Sequence, residues 1–211
     1  MENLNPRYFV PDLSPMDRSE LRKMNPKWVF VAESPHLNEI ESETRGERRP
    51  LCGAAGKQWW SLLTEIFEGK ASADVSLSHM IRFCLKHRVV ILNAVQHPLD
   101  SKIEAKYPLA SPVRNLGFTK TPGPKTYKKL KEGKDVKSAI SRLEQRLNSS
   151  LLKNAPIYCL GNDAEWFVHR ALKDTLEAIR IGVKIPHPSA WWRRGGYFGR
   201  VARERLTEIL Q

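Results

Sequence analysis

The chain has 211 residues, is 41% hydrophobic, and carries 35 Lys and Arg against 23 Asp and Glu, a net charge of +12. Its length suffices for one large domain with a sizeable core. Its charge favours a polyanionic partner, nucleic acid before an acidic membrane surface, although a basic protein without a nucleic-acid role has the same balance. Three scattered cysteines (Cys52, Cys84, Cys159) with no CxxC pair argue against a disulfide framework and against a four-cysteine metal or iron–sulfur site.

Four short apolar runs, rich in β-branched residues, predict buried strands. In chain order they are Trp28–Ala32, Val89–Asn93, residues 157–160 and residues 179–185. Segments of helical period separate and follow them. Apolar residues repeat at three- and four-residue steps over 57–67, 140–151 and 198–209, which predicts three amphipathic helices.

A further helix is expected directly after the third strand, where Asn162 and Glu165 have the spacing of a capping box. Strands that alternate with helices indicate βαβ units and therefore a parallel sheet. We predict an α/β fold, a three-layer α/β/α sandwich with a central, mostly parallel four-stranded sheet. Residues 1–211 show neither an internal repeat nor a boundary between two domains, so one domain is expected.

The stretch at about 100–135 departs from this pattern, because it is basic, rich in Pro and Gly, and too long for an ordinary connection. Tyr107, Phe118 and Tyr127 are interspersed among its lysines. The stretch is either a loop that follows a phosphate backbone or a solvated insertion, and the sequence favours neither.

Chemically distinctive residues follow three of the predicted strands. In a parallel sheet the carboxyl ends of the strands meet at one edge, which would bring together Glu33, His36, Asn93, His97 and His187. Each has an ordinary structural explanation: His-Pro-Ser is often a turn, Asn93 can cap a segment, and Glu33 can satisfy a helix N-terminus. As a group they suggest a catalytic site.

Four stretches resemble, in order and spacing, the motifs of the uracil-DNA glycosylase superfamily. They are "VFVAESP", "RPLCGAAGKQWWSLL", "VVILNAVQHP" and "IPHPSAWWR". The first two are similar to Gly-Glu-Ala-Pro-Gly and Pro-Phe-Val-Gly-x-Ala-Gly of the iron–sulfur branch. The third is similar to the Leu-Leu-Asn-x-Val strand of the best-known branch, and His-Pro-Ser is shared by both. The resemblance covers about residues 28–210 and leaves the basic insertion uncovered.

The resemblance implies a monofunctional DNA glycosylase without metal or cofactor. Hydrolysis of an N-glycosidic bond leaves negative charge on the base and oxocarbenium character on the sugar. His187 would stabilise the charge at the base O2, and Asn93 would bind the pyrimidine edge. Glu33 would orient the water near C1′, with Ser34, which stands where the best-known branch has an Asp, as an alternative for positioning it.

Recognition of DNA is expected from the residues after His187. Ser189 belongs to the shared motif. Trp191 and Trp192 would stack on bases or fill the gap left by the everted nucleotide, and Arg193 and Arg194 would contact flanking phosphates. The alternative for the tryptophans is burial against the C-terminal helix. Lys57 is a further candidate DNA contact.

Departures from the family affect the choice of base. Leu51 stands where the iron–sulfur branch has a base-stacking Phe, and His36 stands where the best-known branch has the Tyr that excludes a thymine methyl group. The cluster cysteines are missing. Uracil is the first candidate base and a bulkier 5-modified or glycosylated cytosine the second, because an amide flip would let Asn93 accept from a cytosine amino group.

We predict a glycosylase on double- or single-stranded DNA; the alternatives are a non-catalytic nucleic-acid-binding module on the same fold and a hydrolase of free nucleosides or nucleotides. No apolar run approaches the roughly 18 residues of a membrane span, and the polar N-terminus lacks a signal-peptide core. We expect a cytoplasmic monomer with no membrane partner.

Overall fold

The computed structural model describes residues 9–12, 24–40, 48–72, 74, 76–98, 134–172 and 180–210. Residues 100–133 of the predicted basic insertion lie outside this set. The fold is mixed α/β. Its elements are β1 (Trp28–Ala32), α1 (Leu37–Ile40), α2 (Ala54–Glu68), α3 (Leu77–His87), β2 (Val89–Asn93), α4 (Lys134–Leu147), β3 (Ile157–Cys159), α5 (Asn162–Leu172), a 3-10 turn (Pro188–Ala190) and α6 (Arg193–Leu210).

The described strands form a parallel sheet in the order β2-β1-β3. Trp28 pairs with Val89 at one end of the β1–β2 ladder, and Ala32 pairs with Asn93 at the other. The first two strand predictions are confirmed with the same bounds, and the third is confirmed but ends at Cys159. Every residue of β1 and β2 is buried, as expected for continuous apolar strands in a parallel sheet whose two faces are both covered.

The prediction of a fourth strand is wrong for the described part of residues 179–185. Two isolated parallel bridges join this segment to β3 and to the residue after it: Ile157 pairs with Ile181, and Leu160 pairs with Ile185. The bridged residues are three positions apart on the β3 side and four positions apart in the 181–185 segment. One extra residue in that segment therefore interrupts the ladder. The segment runs beside β3 without extending the regular sheet.

Alternate residues of the strands enter two hydrophobic clusters. Val29, Val31 and Leu92 pack with residues of α4 and α5, including Leu143 and Phe167. The residues between them pack with α2, α3 and α6, and these strand residues are Trp28, Phe30, Ala32, Val89 and Ile91. The apolar stripes predicted for residues 57–67 and 198–209 lie within α2 and α6, whereas the stripe predicted for 140–151 extends four residues beyond the end of α4 at Leu147.

The C-terminal helix begins irregularly. Arg194, Gly195 and Gly196 have positive φ angles of 52°, 60° and 79°, so the regular turns of α6 begin after Gly196. From there the helix places Ala202 and Leu206 in the core. Within the described residues, no helix is long and apolar enough to cross a membrane.

Candidate functional site

The carboxyl ends of the three strands lie at one edge of the sheet. Glu33 directly follows β1, and Asn93 ends β2 at the position paired with Ala32. The backbone contact continues beyond the strands, because Val95 N–H donates to the Glu33 carbonyl at 3.0 Å. Adjacent strands are about 4.8 Å apart, so residues at neighbouring strand ends are close in space.

His187 reaches the same edge through the segment beside β3. Gly161, two residues after β3, donates its N–H to the Ile185 carbonyl at 2.9 Å. A Cβ atom on Gly161 would lie 3.0 Å from the His187 Cβ, so the glycine makes room for the histidine. Gly161 also has a φ of 91°, which favours glycine. The structure therefore brings the surroundings of Glu33, Asn93 and His187 to one sheet edge.

Asn93 is buried, with 1% of its surface exposed. Its Nδ2 donates to Glu39 Oε2 at 3.3 Å. No group among the described residues donates to its Oδ1, which is also buried. A buried acceptor without a donor is unusual, since leaving such a group unpaired costs on the order of 1–3 kcal/mol.

Glu39, in α1, was not identified from the sequence. It is 5% exposed, and its Oε1 accepts the Leu51 N–H at 2.9 Å while its Oε2 faces Asn93. Burial raises the pKa of this carboxyl to about 8, and the hydrogen bonds from Leu51, Asn93 and His36 only partly oppose the effect. The sequence signal for a buried Glu39 is weak, because it consists only of an acid beside apolar Ile40 in the segment that follows β1.

Leu51, expected at the base-stacking position, is buried and fixed through its backbone. Its φ is 57°, and its carbonyl accepts the Trp60 Nε1–H at 3.1 Å. Gly56 packs against this carbonyl so closely that an added Cβ would lie 1.8 Å from it. The motif containing Leu51 thus holds a backbone N–H in place for Glu39.

The other residues after β1 differ in exposure. Glu33 is 9% exposed, and the Ser34 hydroxyl lies 3.5 Å from its Oε1, at the long limit of a hydrogen bond. The His36 side chain is exposed, and its carbonyl accepts the Glu39 N–H at 2.9 Å. A carboxylate and a hydroxyl are therefore adjacent at the edge, whereas the imidazole of His36 faces solvent.

His187 is oriented by the turn that it begins. Its Nδ1 accepts the Ser189 N–H at 3.2 Å and lies 2.8 Å from the Ser189 hydroxyl. Because a backbone N–H can only donate, Nδ1 is an acceptor, and a neutral imidazole then carries its hydrogen on Nε2. The turn therefore prepares His187 to donate a hydrogen bond from Nε2.

The two tryptophans after the turn differ, which corrects the expectation that both are exposed. Trp191 is 8% exposed, its Nε1 donates to the Pro186 carbonyl at 2.8 Å, and its ring lies 6.4 Å from that of Trp59. Trp192 is 69% exposed. Trp191 belongs to the core because its ring fills space beside α2, so only Trp192 is presented to a partner.

Two exposed arginines follow Trp192, and the first lies over its ring. The Arg193 guanidinium lies 5.7 Å from the centre of the Trp192 ring, and that of Arg194 lies 5.7 Å from the Phe198 ring. Both arginines are exposed, as is Lys57 near the start of α2. Trp192, Arg193 and Arg194 form a surface we call the Trp192 surface.

The end of β2 is held by groups that the sequence did not indicate. Arg146 of α4 donates to the carbonyls of Asn93 and Ala94 at 2.9 and 2.8 Å and pairs with Asp12 at 2.7 Å. His97, expected at the site, is buried against the Phe9 ring, and burial together with the Arg142 charge lowers its pKa to about 4. These contacts fix the backbone that carries Asn93.

Comparison of the sequence with protein-family models and with curated proteins finds no match. Within the described residues, no group of three or more His, Cys, Asp or Glu side chains could hold a metal ion. The side chains at the sheet edge and the Trp192 surface are the features of the described residues that indicate a function.

Proposed function

We propose that this chain is a DNA glycosylase that everts a deaminated or modified pyrimidine and hydrolyses its N-glycosidic bond. The observation that carries the proposal is the buried Asn93 amide at the sheet edge, whose Oδ1 has no donor among the described residues. An amide in this state is suited to a ligand that supplies the missing hydrogen bond, as a pyrimidine edge does.

The proposed architecture is the three-layer α/β/α arrangement of the uracil-DNA glycosylase superfamily. Its support is the pair of hydrophobic clusters that alternate strand residues enter, one with α4 and α5 and one with α2, α3 and α6. Ligands of open α/β sheets bind beyond the carboxyl ends of the strands, which is where Asn93 lies.

In the proposed reaction, His187 stabilises the departing base. As the bond between C1′ and the base nitrogen breaks, the electron pair moves onto the base and negative charge develops at O2. A hydrogen bond from His187 Nε2 opposes this charge, and the Ser189 contacts at Nδ1 keep the imidazole in the required tautomer. A preorganised donor of this kind contributes on the order of 10²–10³ in rate.

Glu33 is the proposed group beside the sugar. Its carboxylate accepts a proton from the attacking water as the oxygen bonds to C1′, and it stabilises the positive charge on the sugar before that. The Ser34 hydroxyl, 3.5 Å from Glu33 Oε1, is placed to share the same water. The products are the free base, protonated from solvent, and an abasic site.

The Trp192 surface is the proposed contact with DNA. An exposed indole followed by two exposed arginines suits stacking on a base while the guanidinium groups contact phosphates. The same surface also favours the second candidate, a non-catalytic nucleic-acid-binding module. The Trp192 surface is exposed, whereas the Asn93 side chain is buried, so binding through this surface does not require access to Asn93.

The test is release of bases from oligonucleotides, both duplex and single-stranded, that carry uracil, thymine, cytosine or 5-hydroxymethylcytosine. Abasic sites are counted by alkaline cleavage, and free bases are identified by mass spectrometry. We expect release of one pyrimidine class, and a loss of about 10² or more in rate for Asn93→Ala and His187→Ala.

His169→Ala is the matched control, because His169 is exposed on α5 and lies outside the proposed site. It should retain the wild-type rate. Salt-sensitive DNA binding without release of any base would reject the glycosylase and favour the binding module. A His187→Ala protein with full activity would reject the role given to His187.

A further inference from the structure

We infer that Glu39 is a positioning residue that selects the pyrimidine by fixing which way the Asn93 amide points. The inference rests on the proposed function, since it concerns the base that the same amide would bind. Its structural basis is the contact between Glu39 Oε2 and the Asn93 amide, together with the buried Asn93 Oδ1 that has no donor among the described residues.

The two oxygens of Glu39 are not equivalent. Oε1 accepts the Leu51 N–H at 2.9 Å, and a backbone N–H can only donate, so this oxygen stays an acceptor in any protonation state. A proton on the carboxyl therefore resides on Oε2, the oxygen that faces Asn93. Leu51 is held for this contact by its own bond to Trp60 and by the close approach of Gly56.

Each protonation state of Glu39 favours a different orientation of the Asn93 amide. An ionised Oε2 accepts and does not donate, so it holds Nδ2 towards itself and leaves Oδ1 beside it for a ligand. A protonated Oε2 donates, so the amide is more stable when it is rotated by half a turn, with Oδ1 towards Glu39. The positions of the heavy atoms hardly change between the two states.

The two orientations match two different bases. Uracil presents a donor at N3 and an acceptor at O4, which pair with Oδ1 and Nδ2 of the amide in the ionised state. Cytosine presents an acceptor at N3 and a donor at its amino group, which pair with the rotated amide. When the amide has the orientation that matches one base, the other base meets it donor to donor and acceptor to acceptor. A site built to form hydrogen bonds with its ligand discriminates strongly against such a mismatch.

Glu39 is the ionisable group in hydrogen-bond contact with the Asn93 amide. The contact from β2 is the uncharged Asn93 amide. In the 48–53 segment, burial and the Glu39 charge raise the pKa of Cys52 to about 11, and the Arg49 charge opposes this shift. On the β1 side, a hydrogen bond from the backbone of His36 lowers the Glu39 pKa, and the His36 side chain is exposed.

The first experiment follows the Asn93 side chain by NMR in the full-length protein without DNA. The amide ¹H and ¹⁵N resonances of Asn93 should titrate between about pH 6 and about pH 9 in the wild type. They should stay constant in Glu39→Gln, because Gln donates at every pH and mimics the acid form. A constant Asn93 amide in the wild type would overturn the inference whether or not the protein is a glycosylase.

The second experiment measures binding of duplexes that carry a 2′-fluorinated deoxyuridine or deoxycytidine, which resist hydrolysis because fluorine destabilises the cationic sugar. We expect the uracil-to-cytosine affinity ratio of the wild type to rise at least tenfold over the same pH range. The ratio of Glu39→Gln should be independent of pH and favour cytosine. Glu204→Gln, at an exposed position of α6, should behave as the wild type.

The outcomes separate the inference from the proposed function. Selective, pH-dependent binding with no release of base from the unfluorinated duplexes rejects the glycosylase and supports the inference for a binding module. Release of bases with a ratio that is independent of pH, or with Glu39→Gln equal to the wild type, supports the glycosylase and overturns the inference.

Discussion

Glu39→Gln should stabilise the folded protein by an amount that grows as the pH rises from about 5 to about 9. The carboxyl is 5% exposed, and burial raises its pKa to about 8 from an ordinary value of 4.5. The folded state therefore holds the proton at pH values at which the unfolded state has already released it. Gln keeps the shape and carries no charge at any pH, so it removes this dependence.

The sign and size follow from the two pKa values. Below about pH 4.5 the carboxyl is neutral in both states, and the wild type pays no penalty. Between about pH 4.5 and about 8 the unfolded state releases its proton while the folded state keeps it, so the free energy of unfolding decreases over this range and is constant above it. At 1.36 kcal/mol for each pH unit between the two values, the loss reaches at most about 5 kcal/mol.

The measurement is urea unfolding of wild type, Glu39→Gln and Glu204→Gln at about pH 5, 7 and 9. The difference between Glu39→Gln and the wild type should be small at the lowest pH and exceed about 1.4 kcal/mol at the highest, a tenfold change in the equilibrium constant. Glu204→Gln corrects for the loss of an exposed carboxylate. Parallel pH dependences for all three proteins would show that Glu39 is not buried as described.

Three further predictions concern the surface and its support. Trp192→Ala should weaken DNA binding by about 1–3 kcal/mol in a titration at fixed salt and leave thermal stability unchanged. Trp191→Ala should instead lower the free energy of unfolding by about 3–5 kcal/mol, because its ring is buried. If the protein were a hydrolase of free nucleosides, Trp192→Ala would not change its activity. Gly56→Ala should cost about 3 kcal/mol in urea unfolding, because the added methyl group collides with the Leu51 carbonyl; an unchanged midpoint would contradict this contact. Arg146→Met should cost about 2–3 kcal/mol, since two carbonyls and a carboxylate lose a charged donor, and wild-type stability would show these bonds to be unimportant.

The sequence identified the strands wherever a local signal was sufficient. The runs at Trp28–Ala32 and Val89–Asn93 are continuous and apolar, and such runs form buried strands of a parallel sheet almost regardless of context. The segment 179–185 carries a similar pattern, yet it is interrupted by one extra residue between its two bridges to β3. The mismatch arises from how the two segments pair, so the sequence of neither segment reveals it.

The two tryptophans show the same limit at the level of side chains. Trp191 and Trp192 are identical in type and adjacent in the chain, so composition and spacing treat them alike. The path of the backbone after the 3-10 turn directs one ring towards Trp59 and the other to solvent. Local sequence does not contain the position of α2, and that position decides which ring is buried.

By itself, the sequence determined the positive charge, the order of β1, β2 and β3, the presence of α2, α4, α5 and α6, and the presence of Asn93 and His187 at the ends of strand-like segments. Those features depend on composition and on repeats of two to four residues, which a single chain displays directly. Only the tertiary structure decided that Glu39 lies against Asn93, 54 residues away along the chain. That contact, and the pKa of about 8 that accompanies it, depend on how the crossover after β1 folds over the sheet edge, because burial is created by distant residues.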